Sequence, residues 1–170
     1  VGKTQDGFAN IFYRLSSLRK FISSIRTNSQ LINDKIELEK INNDLIIEAH
    51  AVDLDKDNVH ILKADLVLDC TDNFETRFLI NDYCKKNKIP WIYASAIENK
   101  GYLMNITKET ACFNCIFENL KGYGTCDTVG VLNSATSLIA SLQVSEAIKL
   151  LLNKNYEKDL IYVNLENNSF

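Results

Sequence analysis

Proline is nearly absent: Pro90 is the only one in 170 residues. No run of 18 apolar residues occurs, so no transmembrane helix is expected. The start, Val1-Gly2-Lys3-Thr4-Gln5-Asp6, lacks the apolar core of a secretory signal. A basic excess is missing as well. The 19 Lys and Arg face 22 Asp and Glu, a formal charge of −3, which argues against a general binder of nucleic acid or of a membrane surface. The two histidines, His50 and His60, show no metal-like spacing. There is no G-x-S-x-G and no glycosidase-type pair of carboxylates. G-x-G-x-x-G is also absent, which leaves a nicotinamide oxidoreductase with only a general α/β pattern behind it. The chain opens on Val rather than Met, and a fragment of a longer protein is expected.

What is present fits one globular domain. Hydrophobic residues make up 46% and charged residues 24%. Five cysteines, an odd number, stand singly or as C-x-x-C and not as a disulfide framework, so a reducing, cytoplasmic compartment is expected. Residues 1–28 are read apart from the rest. Ile11, Leu15, Leu18, Ile22 and Ile25 recur at helical steps beside Arg14, Arg19, Lys20 and Arg26. A basic surface helix is preferred there to a membrane- or partner-binding one. Residues 29–170 alternate helix and strand. Helices are expected over 29–41, 74–86 and 134–152, and strands over 45–52, 64–70, 91–96, 101–107 and 159–165. The pattern predicts an α/β fold: a largely parallel sheet flanked by helices, with room for an antiparallel edge.

The chemistry concentrates at the strand-to-helix turn Asp69-Cys70-Thr71-Asp72-Asn73. In open α/β sheets ligands sit at the carboxyl ends of strands, and the helix start that follows favours an anion. A carboxylate at that edge can hold Mg²⁺ together with phosphates. Asn73, Arg77 and Asn81 stand four apart and share a helix face. The plainer reading makes Asp72 or Asn73 a helix cap and Arg77 a surface charge.

The run from Asp69 to Cys84, DCTDNFETRFLINDYC, resembles the D-C-T-D-N-F-x-T-R-x-x-x-N-x-x-C signature of the ThiF/MoeB/HesA family, relatives of the ubiquitin-activating enzymes. Ile41-Asn42-Asn43-Asp44 resembles the family's I-N-P-D turn, with Asn43 in the place of Pro. Val129-Gly130-Val131 and the run from Gln143 to Leu150 resemble its G-V-x-G…L-Q-A-x-E-A-I-K-L segment. The resemblance spans roughly residues 29–166. It implies a Rossmann-like fold that lacks the N-terminal nucleotide-binding strands. It implies ATP-dependent adenylylation of the C-terminal glycine of a ubiquitin-like, β-grasp sulfur carrier, with ATP and Mg²⁺ used by a homodimer. Asp72 inherits the Mg–ATP role, with Asn73 and Arg77 as its neighbours.

The cysteines extend the resemblance. Cys112-Phe113-Asn114-Cys115 fits half of a tetrahedral zinc site, and the family often closes it with a second C-x-x-C. No second pair follows in this sequence, so Zn²⁺ and two ordinary reduced thiols both stay open. Cys126, in Gly124-Thr125-Cys126-Asp127, matches the cysteine that joins the covalent step in ThiF-type relatives and is the one thiol expected to react. Cys70 and Cys84 are expected in the core. The family's Gly-rich phosphate loop has no counterpart here, and its phosphate lysine falls at Gln30. A non-catalytic remnant that docks a carrier or partner is therefore the competing expectation.

Overall fold

The computed structural model describes residues 10–14, 20–24, 28–42, 44, 46–50, 52–117 and 130–170. Its centre is a four-stranded sheet in the order β3-β4-β5-β6. The strands are β3 (Val67–Leu68), β4 (Trp91–Ile97), β5 (Lys100–Ile106) and β6 (Ile161–Asn164). β3 and β4 run parallel, joined through helix α2 (Phe74–Asn87). From β4 onward the sheet is antiparallel. The reason is local: only Glu98 and Asn99 separate β4 from β5, too few for a crossover, so the chain must fold straight back. Glu98 takes a left-handed φ of 53° to do so.

Side chains alternate between the two faces of the sheet, and each face has its own core. On one, Val67, Trp91, Tyr93, Met104 and Ile106 pack with Ile80 and Cys84 of α2 and with Phe113 and Phe117 of the short α3 (Phe113–Phe117). On the other, Leu66, Leu68, Ile92 and Leu103 meet Ala147 of α4 (Asn133–Leu151). α2 and α4 therefore cover opposite faces. α4 lies close because β5 carries Gly101: a Cβ there would stand 2.3 Å from Ile139 Cγ1. α2 ends with Lys88 in a left-handed conformation, its N–H bonded back to the carbonyls of Cys84 and Lys85.

The three expected helices are found, the first as α1 (Asn28–Ile41). Three expectations fail. The four-stranded sheet is mixed and mostly antiparallel rather than largely parallel, because the tight β4–β5 connection forces the chain back on itself. Within residues 1–28, an antiparallel pair of strands, β1 (Asn10–Arg14) and β2 (Lys20–Ser24), stands where a helix was expected. Ile11, Phe12, Tyr13, Phe21 and Ile22 are strand formers, and that preference outweighs the helical spacing. Of the strand expected over 45–52, residues 46–50 are in no strand. No helix among the described residues is long and apolar enough to cross a membrane.

Candidate functional site at the carboxyl end of the parallel strand

β3 delivers the chain to a tight turn. Thr71 N donates to Asp69 Oδ1 at 2.7 Å, an Asx-type bond that holds the backbone just past the strand. Asn73 then caps α2: its Oδ1 accepts from Thr76 N at 2.8 Å, with extended backbone angles. Asn73 Nδ2 donates to Asp72 Oδ1 at 3.3 Å. Within 69–73 only Asp72 is exposed. The turn thus presents one carboxylate outward at the sheet's carboxyl end, beside a helix start.

Arg77 points the other way. It is 4% exposed, and its Nε donates to Asp69 Oδ2 at 3.1 Å. One terminal nitrogen donates to Thr71 O and, at 3.4 Å, to Ala94 O. The guanidinium lies 5.1 Å from the Tyr93 ring centre and 5.8 Å from that of Phe74. Burial pushes the Asp69 carboxyl above its ordinary range, against the pull of the Arg77 charge and the Thr71 hydrogen bonds. α4 supports the turn from the opposite face. Gln143 Nε2 donates to Asp69 O at 2.8 Å and to Ile92 O at 3.1 Å, and the Cys70 thiol lies 3.8 Å from its Oε1. Thr71 Oγ1 is buried there and has no hydrogen-bond partner among the described residues.

The structure therefore brings Asp72, Asn73 and Arg77 into one turn but turns the guanidinium inward. Asp69, Asn81 and Gln143 are the residues whose work the sequence did not reveal. Asn81 is 2% exposed, and its Oδ1 accepts from Phe113 N at 3.1 Å, which fixes the C-x-x-C segment to α2.

In that segment the Cys112 and Cys115 sulfurs stand 2.8 Å apart. Burial and the neighbouring thiol raise the Cys112 pKa, whereas the hydrogen bonds from Cys112 and the charge of Lys85 lower that of the exposed Cys115. A closed zinc site needs four ligands. No group of three or more His, Cys, Asp or Glu suited to a metal occurs among the described residues, so these two thiols do not by themselves fit a structural zinc. Cys84 is fully buried, its thiol pushed well up by burial, and Cys70 is half-buried. Cys126 lies outside the described residues. Residues 130–132 are tied down: Glu98 N donates to Gly130 O at 3.0 Å, and Leu132 N to Glu98 O at 2.7 Å. Those bonds hold them at the carboxyl end of β4, the same end of the sheet as Asp72.

The ThiF family model matches residues 32–170, over the whole of this sheet and both its covering helices. The chain belongs to the ThiF family. It is 33% identical to the sulfur carrier protein ThiS adenylyltransferase of Bacillus subtilis over 124 residues, 71% of this chain and 37% of the relative. It is 33% identical to the SAMP-activating enzyme E1 of Haloferax volcanii over 124 residues, 70% of this chain and 46% of the relative. The fold matches a crystal structure of E. coli MccB with ATP: TM-score 0.67, 17% identity, 85% of this chain and 46% of that one. This ThiF-family chain thus spans less than half the length of these relatives.

Proposed function

We propose that this ThiF-family chain is the carrier-handling part of an ATP-dependent adenylyltransferase acting on the C-terminal glycine of a ubiquitin-like sulfur carrier. The observation that carries this reading is the outward carboxylate of Asp72 on a turn locked from within by Arg77 and Gln143. The names of the curated relatives supply the substrate class.

In this reading a carrier carboxylate oxygen attacks the α-phosphorus of ATP. An acyl–phosphate bond forms, the bond to the β-phosphate oxygen breaks, and pyrophosphate leaves. Asp72 fits a Mg²⁺ ligand, because that ion takes one or two carboxylates and fills its shell with water and phosphate oxygens. Bound there, Mg²⁺ would neutralise phosphate charge as the transfer proceeds. Asn73 holds the Asp72 carboxylate and the helix start together, and Arg77 keeps the turn in shape rather than facing the nucleotide. Cys126 is the thiol that would attack the acyl adenylate, with AMP leaving. The protein works in the cytoplasm as a homodimer.

The test is ATP–pyrophosphate exchange by the purified chain, with Mg²⁺ and a carrier ending in Gly-Gly. Exchange that disappears in Asp72→Ala supports the reading. Carrier binding by titration without any exchange makes the chain a docking module instead.

A further inference from the structure

A cleft opens at the far end of the sheet from Asp72. It has a volume of ≈ 620 Å³. The start of β3, the ends of α2, β5 and α4, and the turns that follow those ends enclose it. Its apolar wall is formed by Ile89, Pro90, Leu150 and Tyr156, all half-buried. Four lysines line it from three directions: Lys85 in the last turn of α2 and Lys88 just after it, Lys108 after β5, Lys154 after α4. Among the described residues none of the four pairs with a carboxylate. Lys35, Lys40, Lys100, Lys149 and Lys158 do, while Lys56, Lys63 and Lys86, which also lack such a pair, do not converge on one cleft.

The charge sum decides whether this is only helix-end decoration. Two acidic residues share the lining, Asp65 and Glu109, and Glu109 is held by Lys158 at 3.1 Å. α2 and α4 both end here, and each helix end contributes about half a negative charge. Four lysines, less Asp65 and less about one unit for the two helix ends, leave about two positive charges. That excess sits in a concave site of a chain whose net charge is −3, and a concave site concentrates its field. A phosphoryl group carries about −1.5 to −2 at neutral pH, which matches it. The apolar wall calls for more than a bare ion.

We propose that this cleft binds a small organic phosphate, with the phosphoryl head among Lys88, Lys108 and Lys154 and an apolar or aromatic body against Ile89, Pro90 and Leu150. The site is separate from the Asp72 turn and does not depend on the adenylylation reading.

The probe is phenyl phosphate, titrated into the isotope-labelled 170-residue chain while amide shifts are followed. Saturable shifts at Ile89, Thr107 and Lys154 are expected. Lys108→Glu combined with Lys154→Glu should weaken binding at least about tenfold, and added salt should weaken it further. Both lysines are exposed, so the fold survives the change, and Lys63→Glu, outside the cleft, should have no effect. Asp72→Ala should leave binding intact. Four results would overturn the proposal: no saturable shift, shifts centred on residues 72–73, insensitivity to the double charge reversal, or inorganic phosphate binding as tightly as phenyl phosphate.

Discussion

Replacing Arg77 with alanine removes the only charge among the described residues that pairs with the Asp69 carboxylate, and Asp69 is completely buried. Breaking one side of a buried ion pair costs about 3–5 kcal/mol, because the other charge is left in a poor solvent. The carbonyls of Thr71 and Ala94 lose their donor at the same time. A surface arginine would cost at most about 0.5 kcal/mol. The two roles for Arg77 thus differ several-fold in a quantity that denaturation measures. Trp91 is the only tryptophan, is fully buried, and reports unfolding by fluorescence in urea. The expected loss corresponds to roughly 10 °C in melting temperature for a chain of this size. It should also depend on pH in a defined direction. Without Arg77 the Asp69 pKa, already raised by burial, climbs further. A group whose folded pKa is raised loses stability as pH increases through that value. The gap between wild type and Arg77→Ala should therefore be widest at neutral pH and shrink in acid as Asp69 takes up its proton. A loss under about 0.5 kcal/mol at pH 7 would refute the clamp and return Arg77 to the surface.

Other expectations follow from the packing. Gly101→Ala places a methyl 2.3 Å from Ile139 Cγ1 and should cost about 1–3 kcal/mol, seen as a lower melting temperature. Asn81→Ala strips the Phe113 N–H of its acceptor and should cost about 1–3 kcal/mol by urea unfolding. It should also speed alkylation of Cys115, whose segment it frees. Burial acts to raise the Glu146 pKa, but hydrogen bonds from Lys149, the Glu157 amide and Asn105 bring it below its ordinary value. A depressed folded pKa gives stability that is present above the unfolded value, about 4.3, and fades as pH falls through the folded one. The stability difference between wild type and Glu146→Gln should therefore close below about pH 4, measured by thermal melts across pH.

The parts of the fold readable from the sequence are those governed by near neighbours. Asn73 caps α2 through Thr76, three residues on, and the signature from Asp69 to Cys84 announces a strand, a turn and a helix in order. Helical spacing also correctly grouped Asn73, Arg77 and Asn81. It could not say which way that face looks. The answer depends on Ala94 O, 17 residues from Arg77, and on Phe113 N, 32 residues from Asn81. Gln143, Glu146 and Lys149 read as a polar stripe on a buried helix, which left open that Gln143 reaches carbonyls more than 50 residues away. The apolar spacing of Ile11 to Ile25 suits a helix, yet the same stretch holds two clusters of strand formers, and pairing between them decides the outcome. For residues 46–50 a strand-like composition alone was not enough to make a strand.

The polar contacts of α4 also bear on how many ways this protein can pack. A helix laid on a sheet through leucine and alanine alone could slide one turn along its axis and bury nearly the same area. Here a slide of one turn would put Ile139 or Ala147 where Gln143 spans Asp69 O and Ile92 O, and would pull Glu146 from Asn105 Nδ2 and Glu157 N. Buried carbonyls and a buried carboxylate would be left without partners, a cost that apolar contacts elsewhere along the helix do not restore. One alignment of helix on sheet is therefore singled out from its near-equals, and the turn bearing Asp72 takes its position from that choice.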